Sequence, residues 1–295
     1  TFTRGIGKLN IKHDGPLPKA SENVDAMIKL TERLVEKGFA YEKLRSVYFD
    51  ISKLDNYGRL SNINLKKMKP GKTVDLDDYA KDSPVDFTLL KRSSLAELKR
   101  GVYFKTAWGN VRPSWHLECA AISLKYLADN FDIHASGSDI IFPHCENVMA
   151  IGKAATGKQM ANYWINTELL MVGGKKMSRS LDNILSIEDL ERRGYNGREI
   201  RFFLLGSHYR KPLHFSFGAL DSARNTVKRL DGFIQRLLHY TKGEGYPDTE
   251  QIIYDIKQGF ADAMDDDLNI SGALASLFEF VKKVNLPLSK KLLSE

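Results

Sequence analysis

A strand, a helix and a second strand in close succession constrain the fold of this chain most. Residues 131–137 and 168–172 are short apolar runs that predict strands, and Pro143 begins a predicted helix that Gly157 ends. Strands joined through a helix by short loops indicate a right-handed parallel crossover unit. The sequence therefore predicts an α/β fold with a parallel sheet.

A basic segment with two hydroxyl groups follows the second predicted strand. Gly173 and Gly174 let the backbone turn sharply, and Lys175–Ser180 then supplies three cations and two serine hydroxyls. These side chains suit phosphate oxygens, and ligands of parallel sheets bind beyond the carboxyl ends of the strands. The pattern is typical of a loop that binds a polyphosphate, although a solvated basic turn has the same composition.

The composition excludes some classes of protein. The 295 residues suffice for one large domain or two to three ordinary ones, and the net charge of +7 fits a nucleotide or nucleic-acid partner without requiring one. Two cysteines, Cys119 and Cys145, are too few for a disulfide framework. No apolar run reaches membrane-spanning length and no signal-peptide pattern is seen, so we expect a soluble, cytoplasmic protein with no membrane partner.

Changes in periodicity divide the chain into three parts. Residues 1–185 are predicted to form the α/β domain, which opens with a loop over 1–20 and carries a charged, weakly periodic insertion around 52–100. Residues 186–217 are predicted to be a connecting helical segment, in which one short helix starts at Ser186 and Asn196 caps another. The pattern over 218–295 is long and amphipathic, which predicts a helical bundle.

Four side chains carry metal-ligand chemistry. Cys119 lies on a predicted helix, and His144, Cys145 and Glu146 begin the next one. A thiolate, an imidazole and a further thiolate or carboxylate are ligands of the zinc type. Their spacing is too wide for a zinc finger, and a buried cysteine with a hydrogen-bonded histidine is the other interpretation.

Residues near the end of the first predicted strand suit a small ligand. Gly137 lets the backbone approach a ligand closely, and Asp139 can either accept hydrogen bonds from ribose hydroxyls or cap the next helix. Trp115 can form the wall of a pocket and His134 can position a ligand. Structural roles are the commoner ones for an aromatic residue on a helix and a histidine at a strand end.

Four segments match one family in their order and separation. They are Gly109–Cys119, Phe131–Asp139, Phe142–Asn147 and Lys176–Ser180, the last reading Lys-Met-Ser-Arg-Ser. On these residues the chain resembles cysteinyl-tRNA synthetase, a class I aminoacyl-tRNA synthetase. The last motif is common to many class I synthetases, whereas the Trp-His-x-Glu-Cys and Phe-Pro-His stretches are more specific. Ala263–Asn269 is similar to the start of the family's tRNA-side helical domain.

The resemblance implies a fold, an activity and partners. The fold is a Rossmann-like class I catalytic domain, here without its N-terminal part, followed by an α-helical bundle on the tRNA side. The activity is that of a cysteine–tRNA ligase, which forms cysteinyl-adenylate from L-cysteine and ATP and transfers cysteine to tRNA(Cys). We expect a monomer. ATP is a substrate, and the family's Zn²⁺ binds the thiolate of the substrate cysteine, which rejects serine.

The resemblance also implies residues for the amino acid and the metal. Cys119 and His144 match two of the family's zinc ligands. Trp115 and His134 match residues that line the cysteine pocket.

Further residues match the family's ATP site. Gly137 and Asp139 match the turn that binds adenosine. Lys176, Ser178 and Arg179 match the catalytic loop that grips the ATP phosphates in the transition state. Arg179 stands where the family usually has a second lysine, and because it keeps the charge we expect function to survive.

The sequence departs from the family in two places. The family's carboxylate ligand lies four residues after the matching histidine, and here that position is Val148, which cannot bind a metal. Cys145 or Glu146 could substitute, but zinc binding is expected to be weakened or lost. The family's His-x-Gly-His signature and first zinc cysteine belong to an N-terminal segment that this sequence does not contain, so we expect the 295-residue chain alone to be inactive.

Two other functions are compatible with these motifs. The ligase that joins cysteine to an amino-sugar in thiol biosynthesis shares them, although the helical region after residue 218 favours the tRNA enzyme. A non-catalytic paralogue that binds a nucleotide or RNA is favoured by Val148 and by the missing signature. The acceptor used separates the two ligases, and cysteine-dependent ATP–pyrophosphate exchange separates both of them from the paralogue.

Overall fold

The computed structural model describes four stretches of the chain, which are 2–64, 81–240, 246 and 248–289. The lysine-rich run 66–72, with its Pro-Gly pair, predicts an exposed turn, and it lies outside these residues. The glycines and the proline in 243–247 predict a break between helices, and of these five residues only Tyr246 is described.

The helices and strands of the described residues, apart from short helical turns, follow in this order: α1 (Phe2–Lys8), α2 (Val24–Glu36), β1 (Ala40–Lys43), β2 (Ser46–Phe49), β3 (Phe87–Arg92), α3 (Leu95–Lys99), β4 (Phe104–Thr106), β5 (Gly109–Pro113), α4 (Trp115–Leu127), β6 (Phe131–Gly137), α5 (Glu146–Thr156), β7 (Ala161–Thr167), β8 (Leu170–Val172), β9 (Lys175–Lys176), α6 (Ile187–Arg192), α7 (Gly197–Leu204), β10 (Leu213–Phe215), α8 (Phe217–Leu238), α9 (Thr249–Asp265) and α10 (Ile270–Ser289).

The chain divides into two compact units. The first unit is Gly15–Thr167, and the second combines Thr1–Asp14 with Glu168–Glu295. Of the domain predicted over residues 1–185, residues 1–14 and 168–185 thus belong to the second unit. The reason is that β8 pairs in parallel with β10, a strand that comes later in the chain, and so belongs to the second unit.

An antiparallel sheet of five strands, in the order β1-β2-β3-β5-β4, lies in the first unit. Its central strand is β3, whose Leu89 and Leu90 are fully buried. The interpretation of residues 52–100 as an insertion outside the core therefore does not hold from Phe87 onward. Charged residues obscured this strand, and one of them, Asp86, is buried because it accepts hydrogen bonds from the Tyr41 hydroxyl (2.8 Å) and from the backbone amide of Ile51 (3.3 Å).

The first unit also contains the predicted parallel crossover. Strands β6 and β7 pair in parallel, so that His134 lies opposite Trp164 and Gly137 opposite Thr167. Helix α5 connects them and ends, as predicted, at Gly157 in the left-handed conformation. The second strand of the crossover is β7 rather than the predicted run at 168–172. Polar residues interrupt the aromatic and apolar residues of β7, so its sequence gives no continuous apolar signal.

Helices α2, α4 and α5 supply most of the remaining core of the first unit. Apolar side chains from all three are buried in one cluster with the sheet, among them Met27, Leu34, Leu117, Val148 and Ile151. Val148 thus belongs to the packed interior of this unit.

The second unit has a small sheet, β10-β8-β9, and a series of helices. Ser186 and Asn196 begin α6 and α7 with reciprocal capping boxes, which confirms both predicted starts. Helices α9 and α10 pack against each other, as the amphipathic pattern predicts. Among the described residues, no helix has the length and apolarity that a membrane crossing requires.

Residues 2–8 form α1, so the loop predicted over 1–20 is wrong at its start. Gly5 is buried, and a side chain there would meet Ile187 at 3.3 Å. The Lys8 ammonium is ion-paired with Glu191 and Glu188. Two glycines give α1 a weak helical signal of its own, so contacts with α6, far along the chain, stabilise it.

Replacing Leu90 by alanine tests whether β3 belongs to the core. Removing a fully buried leucine side chain leaves a cavity, and we expect Leu90→Ala to lower the free energy of unfolding by about 2–5 kcal/mol in chemical denaturation. Leu95→Ala removes a side chain that is 78% exposed and is the matched control, with an expected change below about 0.5 kcal/mol. Equal effects of the two substitutions would contradict the central position of β3.

Candidate active site

A cavity of about 350 Å³ opens in the first unit beside the start of α4. The Ser114 hydroxyl caps this helix and so fixes the direction of the first turn, where Trp115 and His116 lie. The residues that line the cavity are Thr88, Lys91, Arg112, Pro113, Ser114, Trp115, His116, Asp139, Ile140, Phe142, Pro143 and His144. The structure thus brings Trp115, Asp139 and His144, three of the predicted site residues, to one cavity.

Two histidines and one tryptophan form an aromatic cluster in the cavity wall. The rings of Trp115 and His144 meet edge to face at 4.0 Å between centroids, and the Nδ1 atoms of His116 and His144 lie 3.0 Å apart. Burial lowers the pKa of His116 to about 4. Burial, followed by the nearby His116 and His134, lowers the pKa of His144 to about 3. Both imidazoles are therefore neutral at pH 7, and one of them donates to the other.

His134 lies on β6 and does not line the cavity. Its ring stacks on Trp164 at 4.3 Å between centroids, and burial lowers its pKa. Its Nδ1 atom is buried without a hydrogen-bond partner in the described part of the protein. A buried polar atom of this kind calls for an explanation, and a bound ligand supplies one.

A glycine at position 137, at the end of β6, leaves room for the Asp139 side chain. A Cβ atom at this position would lie 2.6 Å from Oδ1 of Asp139. The missing side chain therefore lets the Asp139 carboxylate fold back towards the end of the strand, while Asp139 also lines the cavity. A carboxylate held at a strand end, with open space before it, can accept hydrogen bonds from hydroxyl groups.

The two cysteines lie near each other, and neither is an ionised thiolate. Cys119 is half-buried against the core, and burial, followed by nearby Glu118 and Cys145, raises the pKa of its thiol to about 11. Cys145 is fully buried, and its thiol donates to the Ser136 hydroxyl at 3.1 Å.

Glu146 is unable to act as a substitute metal ligand in this arrangement. Its carboxylate is fully buried and accepts hydrogen bonds from the backbone amide of Gly58 and from both the amide and hydroxyl of Ser61, each at 2.8 Å. Val148 is fully buried in the apolar core. Within the described ranges no three histidine, cysteine or acidic side chains form a group that could hold a metal. The residues of the described chain therefore do not fit the expected zinc.

The predicted phosphate loop lies in the second unit, as a hairpin between β8 and β9. Gly173 and Gly174 both have positive φ, at 59° and 75°, which only glycine adopts readily. The backbone amide of Met177 donates to the carbonyl of Leu170 at 2.9 Å and closes the hairpin. Lys176 and Arg179 follow with exposed side chains, so their charges are accessible to a ligand from solvent.

Asn183 fixes the second half of this loop. Its side-chain oxygen accepts from the amide of Ser178 at 2.8 Å, and its side-chain nitrogen donates to the carbonyl of Lys176 at 3.0 Å. The hydroxyls of Ser178 and Ser180 lie 3.2 Å apart. One asparagine thus links the backbone on both sides of Met177, which sets the directions of the flanking cation and hydroxyl.

Sequence reasoning missed several residues of these sites. The motif that contains His116 indicates no role for it, and no motif includes Asn183, although an asparagine after a serine-rich turn is a typical backbone ligand. Arg112 belongs to a motif that by itself assigns it no role. Its guanidinium lines the cavity and pairs with Glu97 at 2.7 Å, and Glu97 is in turn fixed by the capping box of α3.

Comparison with known proteins identifies relatives of the whole described chain. A family model described as "tRNA synthetases class I (C) catalytic domain" matches residues 1–225, and one described as "DALR domain" matches 259–294. A relative named cysteine–tRNA ligase from Methanosarcina acetivorans is 40% identical over 291 residues, which are 97% of this chain and 61% of the relative. One of the same name from Carboxydothermus hydrogenoformans is 39% identical over 283 residues, 95% of this chain and 60% of the relative. The chain thus spans about three fifths of the length of these curated relatives.

The predicted fold class is confirmed by these matches. A class I synthetase catalytic domain with mixed sheets and helices is followed by a helical DALR domain. The catalytic match ends within α8, so residues 226–258 lie between the two matched segments.

Measuring the zinc content of the purified protein tests whether these residues fail to hold the metal. With Val148 in place of a carboxylate and Glu146 bonded to backbone amides, we expect purified protein to hold far less than one zinc per chain by atomic emission. Cys119→Ala should leave that content unchanged. One zinc per chain that Cys119→Ala removes would show that the family's metal site persists.

Proposed function

Because the chain belongs to the class I tRNA synthetase family of the cysteine type, we propose that it acts in the ligation of cysteine to tRNA. The reaction forms cysteinyl-adenylate from L-cysteine and ATP and then transfers the cysteine to tRNA(Cys). The observation that carries the proposal is the cavity shared by Trp115 and Asp139, in a chain that is similar over 97% of its length to a cysteine–tRNA ligase. We further propose that the protein is cytoplasmic and monomeric.

The amino acid and the adenosine are assigned to the first unit. Trp115 and His134 are proposed to bind the cysteine, since the indole lines the cavity and the histidine has an unsatisfied buried nitrogen. Gly137 and Asp139 are proposed to bind the adenosine, with the carboxylate accepting from the ribose hydroxyls. Neutral His116 and His144 add hydrogen-bonding groups to the wall of the same cavity without adding charge.

The phosphates are assigned to the hairpin loop of the second unit. Lys176 and Arg179 are proposed to stabilise the negative charge that builds on the phosphates as the adenylate forms, and Ser178 to donate a hydrogen bond to them. Asn183 supports these residues by fixing the backbone around them. Cys119 and His144 match two zinc ligands of the family, but no step is assigned to a metal because the surrounding residues do not fit one.

The relatives favour tRNA as the acceptor over an amino-sugar. Those described above are named cysteine–tRNA ligases, and a DALR domain match covers 259–294. We therefore propose that the helical region over 218–295 lies on the tRNA side and that 186–217 connects it to the catalytic region.

Cysteine-dependent ATP–pyrophosphate exchange, measured on the product of the intact coding sequence, tests the proposal. Exchange with cysteine followed by charging of a tRNA(Cys) transcript is the expected result. Exchange without transfer to tRNA, or tRNA binding without exchange, would direct attention to the amino-sugar ligase or to a non-catalytic paralogue respectively.

Replacing Lys176 tests the role of the loop. Because its charge is proposed to act on the transition state, we expect Lys176→Ala to lower exchange about a hundredfold while cysteine affinity changes less than about twofold. Lys211→Ala removes another exposed lysine of the same unit and should leave both quantities unchanged. Equal losses of exchange and cysteine affinity in the Lys176 variant would refute the assigned role.

A further inference from the structure

A groove of about 310 Å³ in the second unit is lined by basic side chains from one helix. Lys228, Arg229 and Arg236 of α8 line it. The other lining residues are uncharged: Leu230, Gly232, Phe278, Val281 and Asn285. The groove therefore combines three cations with a largely apolar floor and has no carboxylate in its wall.

Helical spacing produces this groove. Arg229 and Arg236 lie seven residues apart, two turns along the same face of α8, and Gly232 lies between them. A Cβ atom at Gly232 would have only the Arg236 guanidinium within 4 Å, at 3.9 Å, so the glycine leaves open space between the two cations. Phe278 and Val281, three residues apart on α10, close the opposite side.

The cations of the groove differ from their basic neighbours in lacking counter-charges. Elsewhere on α7 and α8, Arg198 pairs with Asp231, and Arg224 pairs with Glu199. The side chains of Lys228 and Arg229 form no hydrogen bond or ion pair with any residue of the described stretches. Arg236 donates to a neutral group, the Asn285 side-chain oxygen, at 2.8 Å.

We propose that this groove binds the phosphodiester backbone of an RNA, the tRNA substrate of the proposed function on which this choice of partner rests. Guanidinium groups bind phosphate oxygens in bidentate fashion, and the gap at Gly232 lets a backbone approach the helix between them. The absence of carboxylates from the lining favours a polyanion. The three cations lie in residues 228–236, which neither family match covers, whereas Phe278, Val281 and Asn285 on the opposite side lie within the DALR match.

Salt dependence of RNA binding tests the groove. The 295-residue chain is titrated into a fluorescein-labelled tRNA(Cys) transcript at several salt concentrations, with fluorescence anisotropy as the readout. Each phosphate contact contributes about 0.7–0.9 to the slope of log affinity against log salt, so the double variant Lys228→Gln/Arg229→Gln should lower that slope by about 1.5. Affinity near 0.1 M salt should fall roughly tenfold.

Two further variants separate charge from fold. Lys282→Gln removes a lysine of α10 that is ion-paired with Glu279 and does not line the groove, and its slope should match the unmodified protein. Gly232→Leu keeps every charge but fills the gap, and it should weaken RNA binding several-fold with an unchanged circular dichroism spectrum. A slope unaltered by the double substitution would overturn the proposal.

The remaining outcomes show whether the groove binds RNA or a protein, and they separate a failure of this proposal from a failure of the proposed function. If the double variant loses binding to an acidic peptide but keeps its affinity for RNA, the groove is a protein site and the proposal fails. If the intact product shows no cysteine-dependent exchange while the salt slope still falls, the proposed function fails and the RNA site stands. Exchange that persists in the groove variants, together with the lowered slope, is the result expected when both hold.

Discussion

The hydrogen bonds to the buried carboxylate of Glu146 are the interactions on which the first unit depends most. A carboxylate without solvent is costly unless donors surround it, and here three donors from Gly58 and Ser61 satisfy it. The Tyr57 hydroxyl bonds the neighbouring Asn147 and fastens the same loop. Because Glu146 begins α5, this network fixes where the helix starts and hence where His144 faces the cavity.

The sequence predicts those helix starts and ends that depend only on neighbouring residues. The capping boxes at Ser186 and Asn196 and the left-handed Gly157 require only residues within one turn, and all three were correctly read. Strand β3 and helix α1 depend instead on partners far along the chain. Asp86 is buried with hydrogen bonds from the Tyr41 hydroxyl and the Ile51 amide, and α1 packs against α6 through Ile187. No periodicity within either segment reports such contacts.

The residues of the candidate site also fall into those that local motifs predict and those that depend on distant partners. Motif residues predicted Trp115, Asp139 and His144, and the structure places all three on one cavity. The same motifs say nothing of how Glu146 is satisfied, because its donors lie 85 and 88 residues earlier. Because these donors are distant in the sequence, the sequence suggests that Glu146 could bind a metal, whereas in the structure its carboxylate is already hydrogen-bonded to them. The role of Asn183 is easier to predict from the sequence, since both of its hydrogen bonds go to residues no more than seven positions away.

The buried side of α5 explains why an apolar residue, Val148, is stable at this position. Val148, Ile151 and Ala155 succeed one another along one side of the helix, His144 lies four residues before Val148, and all four are buried. A carboxylate at residue 148 would lose its hydration among these side chains, at a cost on the order of several kcal/mol unless a cation lay beside it. Ligand and metal are thus stable only together at this position, whereas valine packs without either. Burial, followed by nearby Glu118 and Cys145, likewise raises the pKa of the Cys119 thiol, so this side chain also packs without a charge. The apolar face of α5 and the uncharged thiol therefore both suit an interior that is packed without charge.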